Sequence, residues 1–594
     1  MKRINYLTLC VLLLGAITSC KKDFLDLQPL DKYSDEAVWN DPALAQTFVN
    51  NIYVGIPFPF SPLMVSSAVD ESMAVWDWET SNVTNSLITP SYLANWDPGF
   101  WVGHERYMVW EPTYKNIRAC NIFLEKIDDV PFDDAARKDQ LKGEALFLRA
   151  YFYHQLVSMY GGVPLITNSF SLTDEFTVAR DSYADCISFI AGECDKAADL
   201  LAVDGDRARA TKGAALALKS RVLLYAASDL YNSDGAWAGG YGNKELIGYV
   251  GGDRTARWTA AKNAAKAVID LNVYGLYGGT NPSSPQQASD NYANLFLNNG
   301  NEEDIFIQFY DNLHDLNWHS PSPGLFNGPN GWHNWGGNTP IGQFVDAYEM
   351  SDGTKFSWAN AAQAANPYAN RDPRFYASIL YEGAEWKQRP EDVRNADPEG
   401  VVQVGTYTKG GSAVPGLDTR QGPIEDWNGS YTGYYLKKFI DPAIDHQYTK
   451  QQLPWRRFRY AEILLNYAEA CIALGEEDEA RTYINMIRQR AGMPDITDAG
   501  QALVDRYRNE RRIELAYEEQ RFFDVRRWMI APNAYTDAKG VKVTGDMAAD
   551  GTISNRSYSV ITSQGRAWDP RFYLFPIKLD EMNRNSLLVQ NPLY

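Results

Sequence analysis

Hydrophobic residues recur with the period of an α-helix over residues 458–491, on both sides of Gly475. The positions that form one stripe before this glycine and a matching stripe after it are Ile463, Leu464, Tyr467, Ala468 and Cys471, then Ala480, Tyr483, Ile484 and Ile487. Glycine ends a helix with little strain, because a C-terminal cap often requires a positive φ. The pattern predicts an antiparallel helix pair of about 34 residues, the unit of tetratricopeptide (TPR) repeats.

Other parts of the chain show the same helical pairing. A single pair cannot bury its own apolar face, so the prediction requires stacked neighbours. Paired helical periodicity recurs at 140–201 and 212–272, after an earlier helix at 111–127. The chain is therefore predicted to be mostly α, with TPR-like stacked helix pairs as its scaffold, over about 40–275 and 455–530.

The periodicity largely disappears between these two regions. Residues from about 276 to 454 are rich in Gly, Pro, Asn and aromatic side chains, and they predict a loop-rich insertion with isolated strands such as 304–309. Long irregular stretches inside a compact protein are usually functional. We interpret 21–594 as a single domain whose ligand face includes this insertion. Towards the end of the chain, the pattern predicts a long helix over 502–528 and a short strand over 572–577.

The first twenty residues have the pattern of a bacterial targeting segment. Lys2 and Arg3 precede a short apolar run at 6–17, and the sequence ITSC at 17–20 resembles a lipobox. We therefore expect residues 1–20 to be a lipoprotein signal peptide and Cys20 to carry the lipid. No later segment is long and apolar enough to span a bilayer, so the lipid is the expected anchor.

Charge and cysteine usage narrow the classes of function. With 56 basic and 75 acidic residues, the net charge of −19 argues against nucleic acid as the main partner. None of the later cysteines lies in a CxxC pair, so zinc binding is not indicated. These cysteines, at 120, 186, 194 and 471, are expected to be small buried hydrophobic residues, with disulfides left open. No cofactor is predicted, and structural Ca²⁺ is left open.

Several short motifs occur together that are typical of one family. They are RAYFY at 149–153 with YGGVP at 160–164, YAE at 460–462 with NYAEA at 466–470, IRQRAG at 487–492, ERRIEL at 510–515, RFFDVRRW at 521–528, and NRN at 583–585 with QNP at 590–592. Together with the lipobox, the chain resembles the SusD/RagB family of outer-membrane lipoproteins. The resemblance implies a non-catalytic, surface-exposed glycan-binding protein of a Gram-negative bacterium. It also implies a SusC-like TonB-dependent transporter as partner, with the loops forming the ligand face.

Aromatic side chains in loops are the first candidates for contact with a sugar. Sugar rings expose C–H faces that stack on aromatic rings, and Trp and Tyr offer rigid contact area at a small entropic cost. Nine of the 17 tryptophans fall in two irregular windows, between residues 66 and 110 and between residues 318 and 358. The aromatic residues predicted to bind ligand are Trp76, Trp78, Trp96, Tyr292, Trp318, Trp332 and Trp335. The alternative is that these rings pin long loops onto the scaffold.

Three charged residues complete the predicted site. Asp70 lies near the first aromatic window, and Arg371 and Asp372 lie in the insertion. An aspartate and an arginine can hold vicinal hydroxyls by charge-assisted hydrogen bonds. The alternative for Arg371 and Asp372 is a structural turn, because Asn and Asp-Pro sequences favour turns.

Two other classes of function remain as alternatives. A glycoside hydrolase needs two carboxylates at a fixed separation across a cleft, and among 75 acidic residues no pair can be singled out. The sequence contains no HExxH, GxSxG or phosphate-loop motif. A helical-repeat adaptor would instead bind a protein on its concave face. The lipobox and the Trp-rich loops favour glycan over a protein ligand.

Overall fold

The structure is a computed structural model that describes residues 35–57, 59–60, 62–76, 80–94, 110–171, 173–174, 176–310 and 322–594. The predicted signal peptide with Cys20 lies outside these residues, as do Trp78, Trp96 and Trp318. None of the helices in the described ranges combines the length and the apolar character that crossing a bilayer requires.

Most of the regular structure is helical. The α-helices of the described residues are α1 (Asp35–Asn40), α2 (Pro42–Val54), α3 (Thr80–Thr84), α4 (Pro90–Ala94), α5 (Trp110–Lys126), α6 (Ala135–Tyr160), α7 (Tyr183–Leu200), α8 (Lys212–Ala227), α9 (Arg254–Ile269), α10 (Pro285–Leu297), α11 (Pro323–Asn327), α12 (Gly342–Ala347), α13 (Ala361–Ala365), α14 (Pro373–Ser378), α15 (Tyr460–Ala473), α16 (Glu477–Arg490), α17 (Gly500–Glu514), α18 (Gln520–Arg527), α19 (Ala531–Ala534) and α20 (Leu579–Arg584).

Seven of these helices form one continuous stack. Along it, α5 packs on α6, α6 on α7, α7 on α8, α8 on α9, α9 on α15 and α15 on α16. In the middle of α6 every residue from 143 to 154 is buried, as expected of a helix with neighbours on all sides. The predicted TPR-like scaffold is confirmed, and the last pair joins the stack although the chain leaves it between α9 and α15.

The turn between α15 and α16 forms as the sequence predicts. Gly475 has a φ of +80°, and the amide of Glu476 donates to the carbonyl of Cys471 at 2.8 Å. This backbone bond closes the end of α15, and glycine adopts its conformation without the steric cost of a Cβ. The two predicted apolar stripes face the core, where Ile463, Leu464 and Ile484 are fully buried.

The strands are short and lie mainly outside the stack. They are β1 (Ser72–Ala74), β2 (Asp304–Tyr310), β3 (Asn338–Pro340), β4 (Ile379–Leu380), β5 (Thr406–Lys409), β6 (Ser412–Pro415), β7 (Tyr435–Leu436), β8 (Leu453–Arg459), β9 (Ala538–Met547) and β10 (Ile553–Gln564). Antiparallel ribbons join β1 to β3, β2 to β8 and β4 to β7, and a four-stranded sheet has the order β10-β9-β5-β6. The strand predicted at 304–309 is confirmed as β2.

Two local predictions are wrong. The helix predicted over 502–528 is interrupted between α17 and α18, where Tyr517 and Glu519 have positive φ values of 61° and 67°. The interruption lets Glu514 and Glu518 both reach the guanidinium of Arg459, each at 2.7 Å. The segment 572–577 contains part of a 3₁₀ turn and no strand, because its apolar side chains are buried against the helices instead of pairing along an edge.

Buried ion pairs connect the stack to the rest of the molecule. Arg459, at the end of β8, pairs with Glu303 at 2.6 Å as well as with Glu514 and Glu518, and all four side chains are almost completely buried. Arg490 of α16 also pairs with Glu303, at 3.2 Å. Since a charge without a partner is costly in a protein interior, these residues fix the geometry between β8, α16 and α17.

Candidate ligand-binding face

The ribbon of β1 and β3 brings the two Trp-rich windows of the sequence together. Its register pairs Ser72 with Pro340 and Ala74 with Asn338. Trp76 follows β1 and Trp335 precedes β3, so both rings lie at the same end of the ribbon. Their ring centroids are 5.7 Å apart at an interplanar angle of 84°, an edge-to-face contact between two partly exposed tryptophans.

The backbone beside this pair is shaped to admit the indole of Trp76. A Cβ at Gly337 would lie 2.9 Å from Cζ3 of Trp76 and 2.6 Å from the carbonyl oxygen of Phe326. The ring of Phe326 packs against the ring of Trp335, at a centroid distance of 5.3 Å. A residue larger than glycine at 337 would therefore displace the tryptophan pair.

The buried side chain of Asn338 holds the ribbon in position. Its Oδ1 accepts from the amide of Met64 at 3.0 Å and from the hydroxyl of Ser67 at 2.8 Å. Its Nδ2 donates to the carbonyl of Pro62 and to Oδ1 of Asn327, both at 2.8 Å. This fully bonded amide ties the segment before β1 to the loop before β3, so the two tryptophans are presented on a rigid base.

A neighbouring loop adds aromatic residues that the sequence analysis missed. The amide of Gly429 points at the carbonyl of Trp335 at 3.5 Å, and in the same loop Trp427 is 58% exposed. Tyr431 is 41% exposed, and the guanidinium of Arg420 lies 4.2 Å from its ring centroid. Trp427 carries the same signal as the selected tryptophans, a large aromatic residue in an irregular segment, and that criterion applied to the whole insertion would have found it.

Trp332 is placed differently from Trp335, although the two are on one loop. Its ring is 2% exposed and lies 3.5 Å beneath the guanidinium of Arg389. Its Nε1 donates to the carbonyls of Lys387 and Gln388 at 3.2 Å. The prediction that this ring stacks on a ligand is corrected, because both the ring and its N–H are used to hold neighbouring segments. The indole nevertheless forms part of the wall of an adjacent cleft.

The structure also corrects the prediction for Asp70. This carboxylate is buried and paired with Arg521 at 2.8 Å and with Arg512 at 3.0 Å. Although burial alone would raise its pKa, the two guanidinium groups hold the pKa of Asp70 well below its usual range. Asp70 thus links the segment before β1 to α17 and α18, and both of its oxygens accept from Arg521.

Tyr292, Arg371 and Asp372 are corrected for the same reason. The hydroxyl of Tyr292, in α10, is fully buried and donates to the carbonyl of Glu514 at 2.7 Å. The guanidinium of Arg371 donates to backbone carbonyls, including that of Val345 at 2.7 Å. Asp372 is the N-cap of α14, as the structural-turn alternative implied. All three side chains form interior bonds that give a ligand no access.

One grouping among the described residues has the composition of a metal site. The thiol of Cys471 and the carboxylates of Glu476 and Glu479 lie close together at the α15–α16 turn. The ammonium group of Lys262 bonds to both carboxylates, and Glu479 also accepts from the hydroxyl of Tyr467 at 2.5 Å. The grouping is therefore accounted for by an ion-pair cluster that fastens α9 to the last helix pair.

Comparisons with known proteins place the chain among relatives of one kind. Residues 291–594 match a family model described as the SusD family, and residues 23–224 match one described as starch-binding and associating with the outer membrane. A SusD-like protein of Formosa agariphila is 24% identical over 544 residues, covering 88% of this chain and 91% of the relative.

Solved structures agree with this result. A SusD-like protein from Bacteroides fragilis is 31% identical, with a TM-score of 0.74, and the match covers 96% of this chain and all of that one. A SusD-like carbohydrate-binding protein from the same species has a TM-score of 0.67 at 23% identity, covering 93% of this chain and all of the other, which shows a shared fold. The motifs, the helical stack and the two family matches lead to one conclusion: the chain belongs to the SusD family.

Proposed function

We propose that this protein binds an extracellular oligosaccharide or polysaccharide, without catalysis, on the face formed by Trp76 and Trp335. The observation that carries the proposal is the contact of these two partly exposed indoles on a rigid ribbon. Rigid aromatic anchors of this kind suit the C–H faces of sugar rings. Family membership supports the proposal, and the Bacteroides fragilis protein that is 23% identical is described as carbohydrate binding.

Affinity electrophoresis tests this site directly. The protein is run through native gels that contain starch, laminarin, xylan or pectin, and its retardation is compared with that in a gel without polysaccharide. The double variant Trp76→Ala/Trp335→Ala is expected to lose about 2 kcal/mol or more of binding energy, because buried aromatic anchors dominate such interfaces. A folded double variant that is retarded as strongly as the unaltered protein would refute the assignment.

A matched control comes from a groove that neither Trp76 nor Trp335 lines. In this groove, beside α5, Phe176 is 60% exposed. Phe176→Ala removes an exposed aromatic ring, and it is expected to leave retardation unchanged.

Release of reducing sugar is measured on the same polysaccharides, and sustained turnover would overturn the non-catalytic proposal in favour of a glycoside hydrolase.

We further propose that the bound glycan is passed to a SusC-like TonB-dependent transporter. In this proposal Cys20 carries a lipid that anchors the protein to the outer membrane, facing the cell exterior. The description of the family that matches residues 23–224 supports the membrane association. Affinity purification from outer membranes is expected to recover a large β-barrel protein, and Cys20→Ala is expected to move the protein out of the membrane fraction. Recovery of a barrel without any glycan affinity would favour the adaptor alternative.

A further inference from the structure

A cleft of about 780 Å³ opens between two loops of the insertion, next to Trp332. One wall is the segment 387–394, and the other is the segment 442–448. Its size falls in the range of roughly 300–1,000 Å³ that is typical of small-molecule sites. Trp332 and His333 line the cleft, whereas Trp335, three residues later, packs against Trp76. The cleft and the tryptophan pair are thus separate features carried by one loop.

The walls of the cleft are fixed from within. Arg389 is fully buried, and its guanidinium forms two parallel hydrogen bonds with Asp418, each at 2.8 Å. Its Nε bonds to Asp397 at 2.8 Å, and its plane covers the ring of Trp332. Lys387 donates from Nζ to the carbonyl of Ile444 at 2.5 Å and so ties the two walls together. The cleft is therefore preformed, which reduces the entropic cost of binding.

The groups that remain exposed in the cleft combine an aromatic ring with planar polar side chains. Tyr448 is 80% exposed at one rim, so its ring is accessible to a ligand. The opposite wall carries the exposed carboxylates of Glu391 and Asp392, and Asp392 is held by His333 at 3.0 Å. An aromatic surface beside carboxylates that accept hydrogen bonds is suited to a ring that carries several hydroxyl groups.

The charge of the cleft indicates which sugars fit. Lys387 and Arg389 are engaged in the bonds described above, so Arg394 is the cation of the lining that remains exposed. The lining also carries three exposed carboxylates, those of Glu391, Asp392 and Asp445. Among the exposed charged groups of the lining, three carboxylates thus stand beside one guanidinium, and this surface disfavours sulfated or uronic acid residues through like-charge repulsion.

We propose that this cleft is a second carbohydrate site, which takes neutral sugar units of the same glycan chain that Trp76 and Trp335 bind. The proposal rests on the proposed function. Three peptide units separate Trp332 from Trp335, so the Cα atoms of these two residues are at most about 11 Å apart. A polysaccharide can occupy both at once and gain avidity, whereas a short oligosaccharide occupies one at a time.

The test compares a polysaccharide with a short oligosaccharide of the same repeat. The double variant Tyr448→Ala/Glu391→Ala changes two exposed side chains, and its thermal unfolding is recorded to verify folding. Titration calorimetry uses the neutral polysaccharide that most strongly retards the unaltered protein, and its tetrasaccharide. We expect affinity for the polysaccharide to fall at least about tenfold, and affinity for the tetrasaccharide to change less than about twofold.

Three results would overturn the proposal in distinguishable ways. Unchanged polysaccharide affinity would show that the cleft binds no sugar, while the proposed function stands. An equal loss for both ligands would make the cleft part of a single site. If the unaltered protein binds none of the polysaccharides, the proposed function fails and the second site fails with it. Residual polysaccharide binding by Trp76→Ala/Trp335→Ala that disappears on adding Tyr448→Ala would support two sites independently.

Discussion

Glu71 is expected to make the stability of this protein fall as the pH rises. The residue immediately precedes β1 and is fully buried. Its Oε1 accepts from the amide of Tyr517 at 2.9 Å, and its Oε2 has no hydrogen-bond partner among the described residues. The pKa of Glu71 is raised to about 8, chiefly by burial; the carboxylate of Asp70 also raises it, whereas the amide of Tyr517 and the guanidinium groups of Arg521 and Arg512 lower it.

The sign and size of the effect follow from proton linkage. The pKa of Glu71 is higher in the folded state than its ordinary value of 4.5, so the folded state binds more protons between these two pH values. The free energy of unfolding therefore decreases as pH rises through this range. With about 1.36 kcal/mol for each pKa unit, the decrease between pH 6 and pH 9 is about 3 kcal/mol.

Glu71→Gln removes this titration while keeping an oxygen for the amide of Tyr517. Urea unfolding of the unaltered protein and of the variant is measured at pH 6, 7, 8 and 9. The difference between their free energies of unfolding isolates Glu71, because the titration of every group that both proteins share cancels. We expect this difference to shift in favour of the variant by about 3 kcal/mol over that range. The exposed Glu399→Gln serves as control and should show no such trend. A Glu71→Gln difference that is independent of pH would refute the reasoning.

Three further predictions concern the scaffold. Arg459→Met leaves three buried glutamates without their common partner, so we expect a loss of about 3–5 kcal/mol in urea unfolding. The exposed Lys355→Met is its control; an equal effect of the two would contradict the expected cost of burying charge. Asp134→Ala removes the side chain that accepts from the amide of residue 136 at the start of α6, and about 1 kcal/mol is expected to be lost. Gly475→Ala, measured by thermal unfolding, should cost about 1 kcal/mol because of the positive φ, whereas Gly192→Ala inside α7 should stabilise slightly.

The helical scaffold could be predicted from sequence because each helix is determined by residues that lie close together in the chain. Apolar stripes such as Ile463, Leu464 and Cys471 repeat within one helix, and Gly475 marks the end of that helix. The interruption after α17 could not be predicted in this way, because it places Glu514 and Glu518 around the guanidinium of Arg459, which is distant in sequence. The helical periodicity of a segment does not show which residues from distant parts of the chain will contact that segment.

The candidate site was predicted only in part, for the same physical reason. Trp76 and Trp335 were selected as loop aromatics, and their contact depends on the pairing of β1 with β3. Tyr292 and Asp70 have the right chemistry for a sugar, but their polar atoms meet groups of α17 and its surroundings. Whether a side chain is buried depends on contacts with residues hundreds of positions away in the chain. Residue type alone therefore could not show that Tyr292 and Asp70 are buried while Trp427 is exposed.

The route of the chain through the helical stack has a consequence for biosynthesis. The stack is continuous in space, but its next helix after α9 is α15, which begins at Tyr460. While the ribosome adds the intervening residues, the side of α9 that packs on α15 in the finished fold has no partner. A nascent chain of this length exposes an unfinished apolar surface, a state that favours aggregation and engages chaperones. Completion of the stack therefore depends on the slow closure of a very long loop.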